Sequence, residues 1–333
     1  MKIKKIDIAL QGGGAHGAYS WGVLDRLLDE EGIEIDGVSG TSAGAMNAVC
    51  TAYGMRLGGR TKAKEILNEF WYKISEAGKT SPLQPSLIDK TLSPGNIDYS
   101  PGYKVFSLIS EMFTPKQLNP LGYNPLEKVL NEVIDFKLLQ KMNPPKLFVC
   151  ATNVMNCESK SFNKEEITSK TVLASACLPF MFDAVEIDGE YYWDGGYTGN
   201  PLITPLIDNT IETNDILIIQ INPKVIKTLP SSVEEIRDRV NEISFNSSLL
   251  QELKFIQYQQ EILNKGFNDE GNITPVYLHN ISADKDLEEL NLSSKLNSTY
   301  SFLVYLKELG RKSCDTWLKS NYEQIGKKST LKL

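Results

Sequence analysis

The sequence predicts an α/β protein with a mainly parallel sheet wrapped by helices. Three observations point there. Two apolar runs, residues 3–10 (IKKIDIAL) and 33–38 (IEIDGV), have the length and β-branched content of strands. Each is followed by a glycine-centred turn and then a helical pattern, the strand–helix–strand–helix order of a parallel sheet. A third run, Asp215 to Asn222 (DILIIQIN), is apolar without alternation, as expected of a strand buried on both faces.

The elements follow in order. After the first strand come Gln11 and a glycine cluster, then a helix from Ala18 to Glu30 with Trp21, Leu24, Leu27 and Leu28 on one stripe. The second strand leads through a tight turn, Ser39 to Gly44, into a helix of small residues, Ala45 to Tyr53, which Gly54 closes. Thr61 to Ala77 is amphipathic, with Ile66, Phe70 and Ile74 inward. Seven of the 15 prolines then fall between Lys79 and Pro125. That stretch reads as mostly irregular around one apolar segment, Val105 to Phe113, and suits a lid, a binding loop or a mobile segment, or else a helical cap packed onto the core. Asn124, Pro125 and Glu127 form a helix start, with the helix running to about Met142 and broken by Pro144-Pro145. Lys146 to Asn153 reads as a buried strand and Thr168 to Cys177 as a helix. Val185 to Trp193 is a hairpin turning at Asp188-Gly189. Beyond Pro223 lie a long helix (Ser231 to Lys265), a strand (Thr274 to Ile281) and a last helix (Ser298 to about Ser320).

Composition narrows the function. The 333 residues carry 35 basic and 42 acidic side chains, a net charge of −7. Long-range attraction to nucleic acid or to anionic lipid is therefore not expected. Five cysteines, Cys50, Cys150, Cys157, Cys177 and Cys314, are spaced as core residues rather than as a disulfide framework or zinc site. No cofactor or metal is expected. The N-terminal apolar run is interrupted by Asp7, too short for a signal peptide. The longest uncharged stretch, Gly37 to Met55, is too polar to span a membrane. The N-x-S/T matches at Asn246, Asn272, Asn280, Asn291 and Asn297 carry little meaning without a secretory signal. A cytoplasmic protein, peripheral to membranes at most, is the expectation.

Two turns could carry chemistry. Gly40-Thr41-Ser42-Ala43-Gly44 fits G-x-S-x-G, a nucleophile elbow that holds Ser42 in a strained conformation at a helix N-terminus. Gly12-Gly13-Gly14-Ala15-His16-Gly17 is suited to an oxyanion hole, with the N–H groups of Gly13, Gly14, Ala15 and Ala43 as candidate donors. The same loop also fits G-x-G-x-x-G, with Asp36 as a ribose-binding acid, so an oxidoreductase using a dinucleotide is a rival. Asp36 falls before the end of its strand, which counts against that rival. A serine nucleophile needs a base. The chain has only two histidines, His16 and His279. A third candidate is Asp194, whose neighbours Gly195 and Gly196 permit an unusual turn, provided burial raises its basicity.

Taken in order, the G-G-G-x-x-G loop, G-T-S-A-G and D-G-G resemble the patatin-like phospholipases over roughly residues 5–210. So does Leu173-Ala-Ser175-Ala-Cys177-Leu-Pro179. The resemblance implies a three-layer α/β/α sandwich and a Ser–Asp dyad, Ser42 as nucleophile and Asp194 as base, acting on acyl lipids through an acyl-enzyme. It gives the oxyanion hole to Gly12–Gly14. An acyltransferase would share every motif. Where this family commonly has Arg or Lys, the chain has His16, a candidate accessory group charged only part of the time near neutral pH. The implied organisation is a catalytic domain over 1–225, with a proline-rich lid or cap at 78–125, and a mostly helical C-terminal extension over 226–333 packed on it. The implied partner is an acyl lipid, met at a membrane or micelle surface.

Overall fold

The computed structural model describes residues 3–143, 145–207, 213–266 and 275–331. Pro144, Thr274 and the Asn272 match lie outside the described residues. Eight strands form one sheet: β1 (Lys4–Leu10), β2 (Ile33–Thr41), β3 (Lys146–Asn153), β4 (Ser159–Asn163), β5 (Val185–Ile187), β6 (Glu190–Asp194), β7 (Asp215–Gln220) and β8 (Tyr277–Ser282). Their order is β5-β6-β3-β2-β1-β7-β8, with β4 also on β3. The block β3-β2-β1-β7-β8 is parallel, while β4 and β6 each pair antiparallel with β3, and β5 pairs antiparallel with β6.

The side chains of β7 explain the layering. Leu217 and Ile219 enter the larger apolar core, whereas Ile216 and Ile218 enter a second one on the other face. Successive strand residues point to opposite faces, so an unbroken apolar run implies two covered faces. The larger core is covered by α1 (Gly17–Leu27), the two-part helix α2 (Ala43–Gly78) and α10 (Tyr300–Asn321). The second is covered by α9 (Val233–Asn264) through Leu249, Leu253 and Ile256. The result is a three-layer α/β/α sandwich.

Some boundaries move from those expected. Gly54 does not end the helix after Ser42. The break comes at Gly58 and Gly59, where Gly59 has φ +71. Gly54 is instead where the two halves of α2 touch, because a Cβ there would lie 2.3 Å from the Ala63 Cα. The proline-rich segment is more helical than expected. It holds α3 (Leu87–Leu92), α4 (Pro101–Met112) and α5 (Pro115–Leu118), capped by Ser86, Ser100 and Thr114. Pro101 and Pro115 open helices rather than break them, since the first helical position needs no N–H. The single helix expected to run to Met142 is two, α6 (Pro125–Val133) and α7 (Phe136–Lys141), because Ile134 is extended and Asp135 caps afresh. The remaining helix, α8 (Ser169–Ser175), lies within its expected bounds.

Candidate active site

The register around β3 brings two distant segments together. On one edge β3 pairs with β4 from Phe148 through Thr152. Each strand has only two edges, so β2 and β6 must share the other. They do so end to end, with β2 facing Lys146–Cys150 and β6 facing Ala151–Asn153. Thr41 is opposite Cys150 and Asp194 is opposite Ala151, adjacent positions along one edge. The chain therefore leaves β2 at Ser42 beside the point where β6 delivers Asp194.

Ser42 sits between β2 and α2 with φ +55 and ψ −123, a conformation that L residues with side chains seldom adopt. Its surroundings hold it there. Its N–H donates to the Ser175 Oγ at 2.8 Å. A Cβ on Gly40 would meet the Gly44 carbonyl oxygen at 2.4 Å, and one on Gly12 would lie 2.6 Å from the Ser42 Cβ. The sharp turn thus needs both elbow glycines, and the glycine loop presses directly against it. Ser42 is nearly buried and lies at the positive end of the α2 dipole.

Asp194 is fully buried and fixed by its backbone. Its N–H donates to the Cys177 carbonyl at 2.8 Å, and its own carbonyl accepts from Thr152 Oγ1 at 2.8 Å. Asp194 Oδ1 accepts the Gly196 N–H at 2.7 Å. Oδ2 meets no donor at full hydrogen-bond geometry among the described residues. Burial pushes the Asp194 pKa up to about 7, opposed by the Gly196 N–H, by hydrogen bonding from the Ser42 hydroxyl and by the charge of Lys295. A carboxylate so placed takes and returns protons near neutral pH. Gly195 and Gly196 are constrained by packing: a Cβ on Gly195 would lie 2.3 Å from the Cys150 carbonyl oxygen, and one on Gly196 2.8 Å from the Phe245 ring.

The glycine loop follows β1 next to the elbow. The N–H groups of Gly13, Gly14, Ala15 and Ala43 donate to no acceptor among the described residues. Gly12 differs from the expectation. Its N–H donates to Asn200 Oδ1 at 2.7 Å, so it has no hydrogen left for an oxyanion and acts through close approach instead. Its carbonyl accepts from Asn222 Nδ2 at 2.6 Å. Gln11 ties the two asparagines into one amide network. Its Oε1 accepts the N–H groups of Ile221 and Asn222, and its Nε2 donates to the Asn200 carbonyl and to Asn246. Asn200 and Asn222 are not among the residues the sequence singles out, and Ser175 appears there only within the segment 173–179 that carries the resemblance. Both asparagines precede proline, a local signal of extended, turn-forming backbone.

Neither histidine is placed as a base. His16 is buried, with Nε2 2.7 Å from the Ser294 Oγ, and burial together with Lys295 lowers its pKa to about 3. It is therefore neutral at physiological pH, and the partial charge expected of it is not available. His279 lies near the beginning of β8, opposite Leu217, while Ser42 follows the far end of the parallel strands. Its Nε2 is 2.9 Å from Asp215 and its Nδ1 is 2.8 Å from Thr330 Oγ1. Asp36 lies inside β2, five residues before Thr41, away from the strand tip that a ribose-binding acid would occupy. Among the described residues, no group of three or more His, Cys, Asp and Glu is disposed to hold a metal ion.

A family model described as patatin-like phospholipase matches residues 8–207. Among solved structures, the chain is similar to VipD from Legionella pneumophila, with 17% identity and a TM-score of 0.45 over 96% of this chain and 67% of that one. It is also similar to a chain of the heterodimeric ExoU–SpcU complex from the type III secretion system of Pseudomonas aeruginosa. There the identity is 13% and the TM-score 0.40, over 97% of this chain and 52% of that one, so it spans about half of that neighbour's length. No curated protein matches the chain at a significant level.

The position of His279 generates a prediction. His279→Ala should lower the unfolding free energy by about 2–4 kcal/mol in a denaturant titration, because Asp215 is left buried with only the Gly326 N–H. Hydrolysis of an activated ester by the folded variant should match wild type. Loss of turnover without loss of stability would return His279 to the list of bases.

Proposed function

The chain belongs to the patatin-like phospholipase family, and on that premise we propose that it is a serine lipid acyl hydrolase, phospholipase A-like, working through a Ser42–Asp194 dyad. The observation that carries this reading is the tandem placement of β2 and β6 on one edge of β3, which sets Asp194 beside Ser42. Asp194 takes the Ser42 proton as Oγ attacks the ester carbonyl. The unpaired N–H groups of Gly13, Gly14 and Ala43 meet the developing oxyanion, supported by the α2 dipole. The tetrahedral intermediate collapses, and Asp194 returns the proton to the departing alcohol or lysolipid. Water then attacks the acyl-enzyme, giving its proton to Asp194, and the fatty acid leaves as Ser42 regains its hydrogen.

The surface around the site supports a lipid substrate. A cavity of about 130 Å³ runs between the proline-rich segment at Pro115, Asn119 and Gly122 and the wall formed by Leu173, Cys177 and Phe182. Cys177, whose carbonyl accepts the Asp194 N–H, lines this cavity, while neither Ser42 nor Asp194 does. Nearby large apolar side chains stand in solvent, among them Leu108, Met112, Leu121, Tyr123 and Phe180. Several large apolar side chains left in solvent fit transient contact with a bilayer or micelle. No helix among the described residues is long and apolar enough to cross a membrane.

Two experiments test the reading. A fluorophosphonate probe should label wild type, and Ser42→Ala should abolish labelling. Asp194→Asn should cut ester turnover by about 10²–10⁴-fold, the range of a lost general base; full turnover in that variant would remove the dyad. The pH profile supplies a second check. Asp194 must be ionised to accept a proton, and its pKa lies at about 7. Activity should therefore climb as pH rises through about 7 and fall below it. A plateau extending to pH 5 would mean that another group is the base.

A further inference from the structure

Lys295 lies outside the span matched by the family model, in a short helical turn, Leu292–Leu296, of the C-terminal region. It reaches the glycine loop in two ways. A Cβ on Gly14 would lie 2.4 Å from the Lys295 carbonyl oxygen, so its backbone is in contact with the loop. Its Nζ donates to Asn222 Oδ1 at 2.7 Å. An ammonium group only donates hydrogen bonds, so it dictates which end of the Asn222 amide faces it. With Oδ1 turned toward Lys295, Nδ2 is left to hold the Gly12 carbonyl. One cation thus sets the orientation of the side chain that clamps the loop.

We propose that Lys295 is a positioning residue of the acyl-transfer site, fixing the oxyanion loop through Asn222 and placing its positive charge within electrostatic reach of Asp194. The inference rests on the proposed dyad. The titratable groups around Lys295 are Asp194 from β6, Asp238 and Glu242 from α9 and, on the loop, His16. His16 is neutral and cannot supply the charge in its place. The three carboxylates favour the ammonium form against the burial that lowers the Lys295 pKa. Around Asp194, the Cys177 thiol and the Tyr197 hydroxyl are each pushed up to about 12, and burial drives the Cys150 thiol higher still. All three are uncharged near neutrality. A change of charge at residue 295 therefore registers in the titration of Asp194.

The test compares wild type, Lys295→Met and Lys295→Arg on a p-nitrophenyl ester from pH 5 to 9, with thermal melts of each. Methionine keeps the length of the side chain and removes its charge and donors. The expected result is a kcat lower by about 10–100-fold for Lys295→Met, the scale of a misplaced loop, with KM little changed. Its acid limb should move to higher pH, because the ionised form of Asp194 has lost its cation. Lys295→Arg should restore the limb and most of the rate. An unmoved limb with wild-type kcat overturns the proposal. A lower kcat with an unmoved limb, equal in both variants, overturns it too and leaves Lys295 a packing residue. Ser42-dependent probe labelling of wild type separates these outcomes from failure of the dyad itself.

Discussion

The site depends on how one edge of β3 is shared. β2 uses its first part and β6 its last, so the sheet changes from parallel to antiparallel neighbours in the middle of that edge. A single strand thereby aligns the end of β2 with the end of β6, joining residues 152 positions apart in sequence. No flexible loop is needed to bring Ser42 to Asp194. Each lies at the end of a strand whose backbone hydrogen bonds fix its height, and rigid supports of this kind are what proton transfer over a short distance requires.

Burial and polarity are then balanced around that junction. Asp194 is deep enough to become basic near neutrality, yet the Gly196 N–H and the neighbouring hydroxyl keep its ionised form accessible. The glycine loop is held by a complementary device. Side-chain amides take the N–H and the carbonyl of Gly12, while the N–H groups of Gly13 and Gly14 meet no acceptor among the described residues. Unpaired donors at a nearly buried site are costly to maintain. The amide network holds Gly12 on both sides, and the Lys295 backbone packs against Gly14.

Much of this was legible in the residues, for identifiable reasons. The two-faced run DILIIQIN reported a strand between two helical layers, and the G-x-S-x-G turn reported its strained serine because only glycines tolerate its contacts. The proline-rich segment read as mostly irregular or as a helical cap, and its helix starts were hard to place because Pro101 and Pro115 sit at their first positions. β4 was missed because SKSFN offers one buried residue, Phe162, and too little alternation. Gly12 looked like a donor, and only the tertiary contact with Asn200 shows its N–H to be engaged. Ser175 stood in a segment that carried the resemblance, but its contact with Ser42, like that of Lys295 with Gly14, arises only when α8 and the turn at Leu292–Leu296 are laid against the two glycine turns.

β7 also has a consequence for how this architecture can be divided. It begins at Asp215, beyond the last family-matched residue, yet it supplies the partner that seals β1. Severing the polypeptide at position 207 would strip β1 of that neighbour and bare its edge over Asp7–Leu10, an invitation to intermolecular strand addition. The strand after residue 207 thus belongs to the same sheet as the one that leads into Ser42.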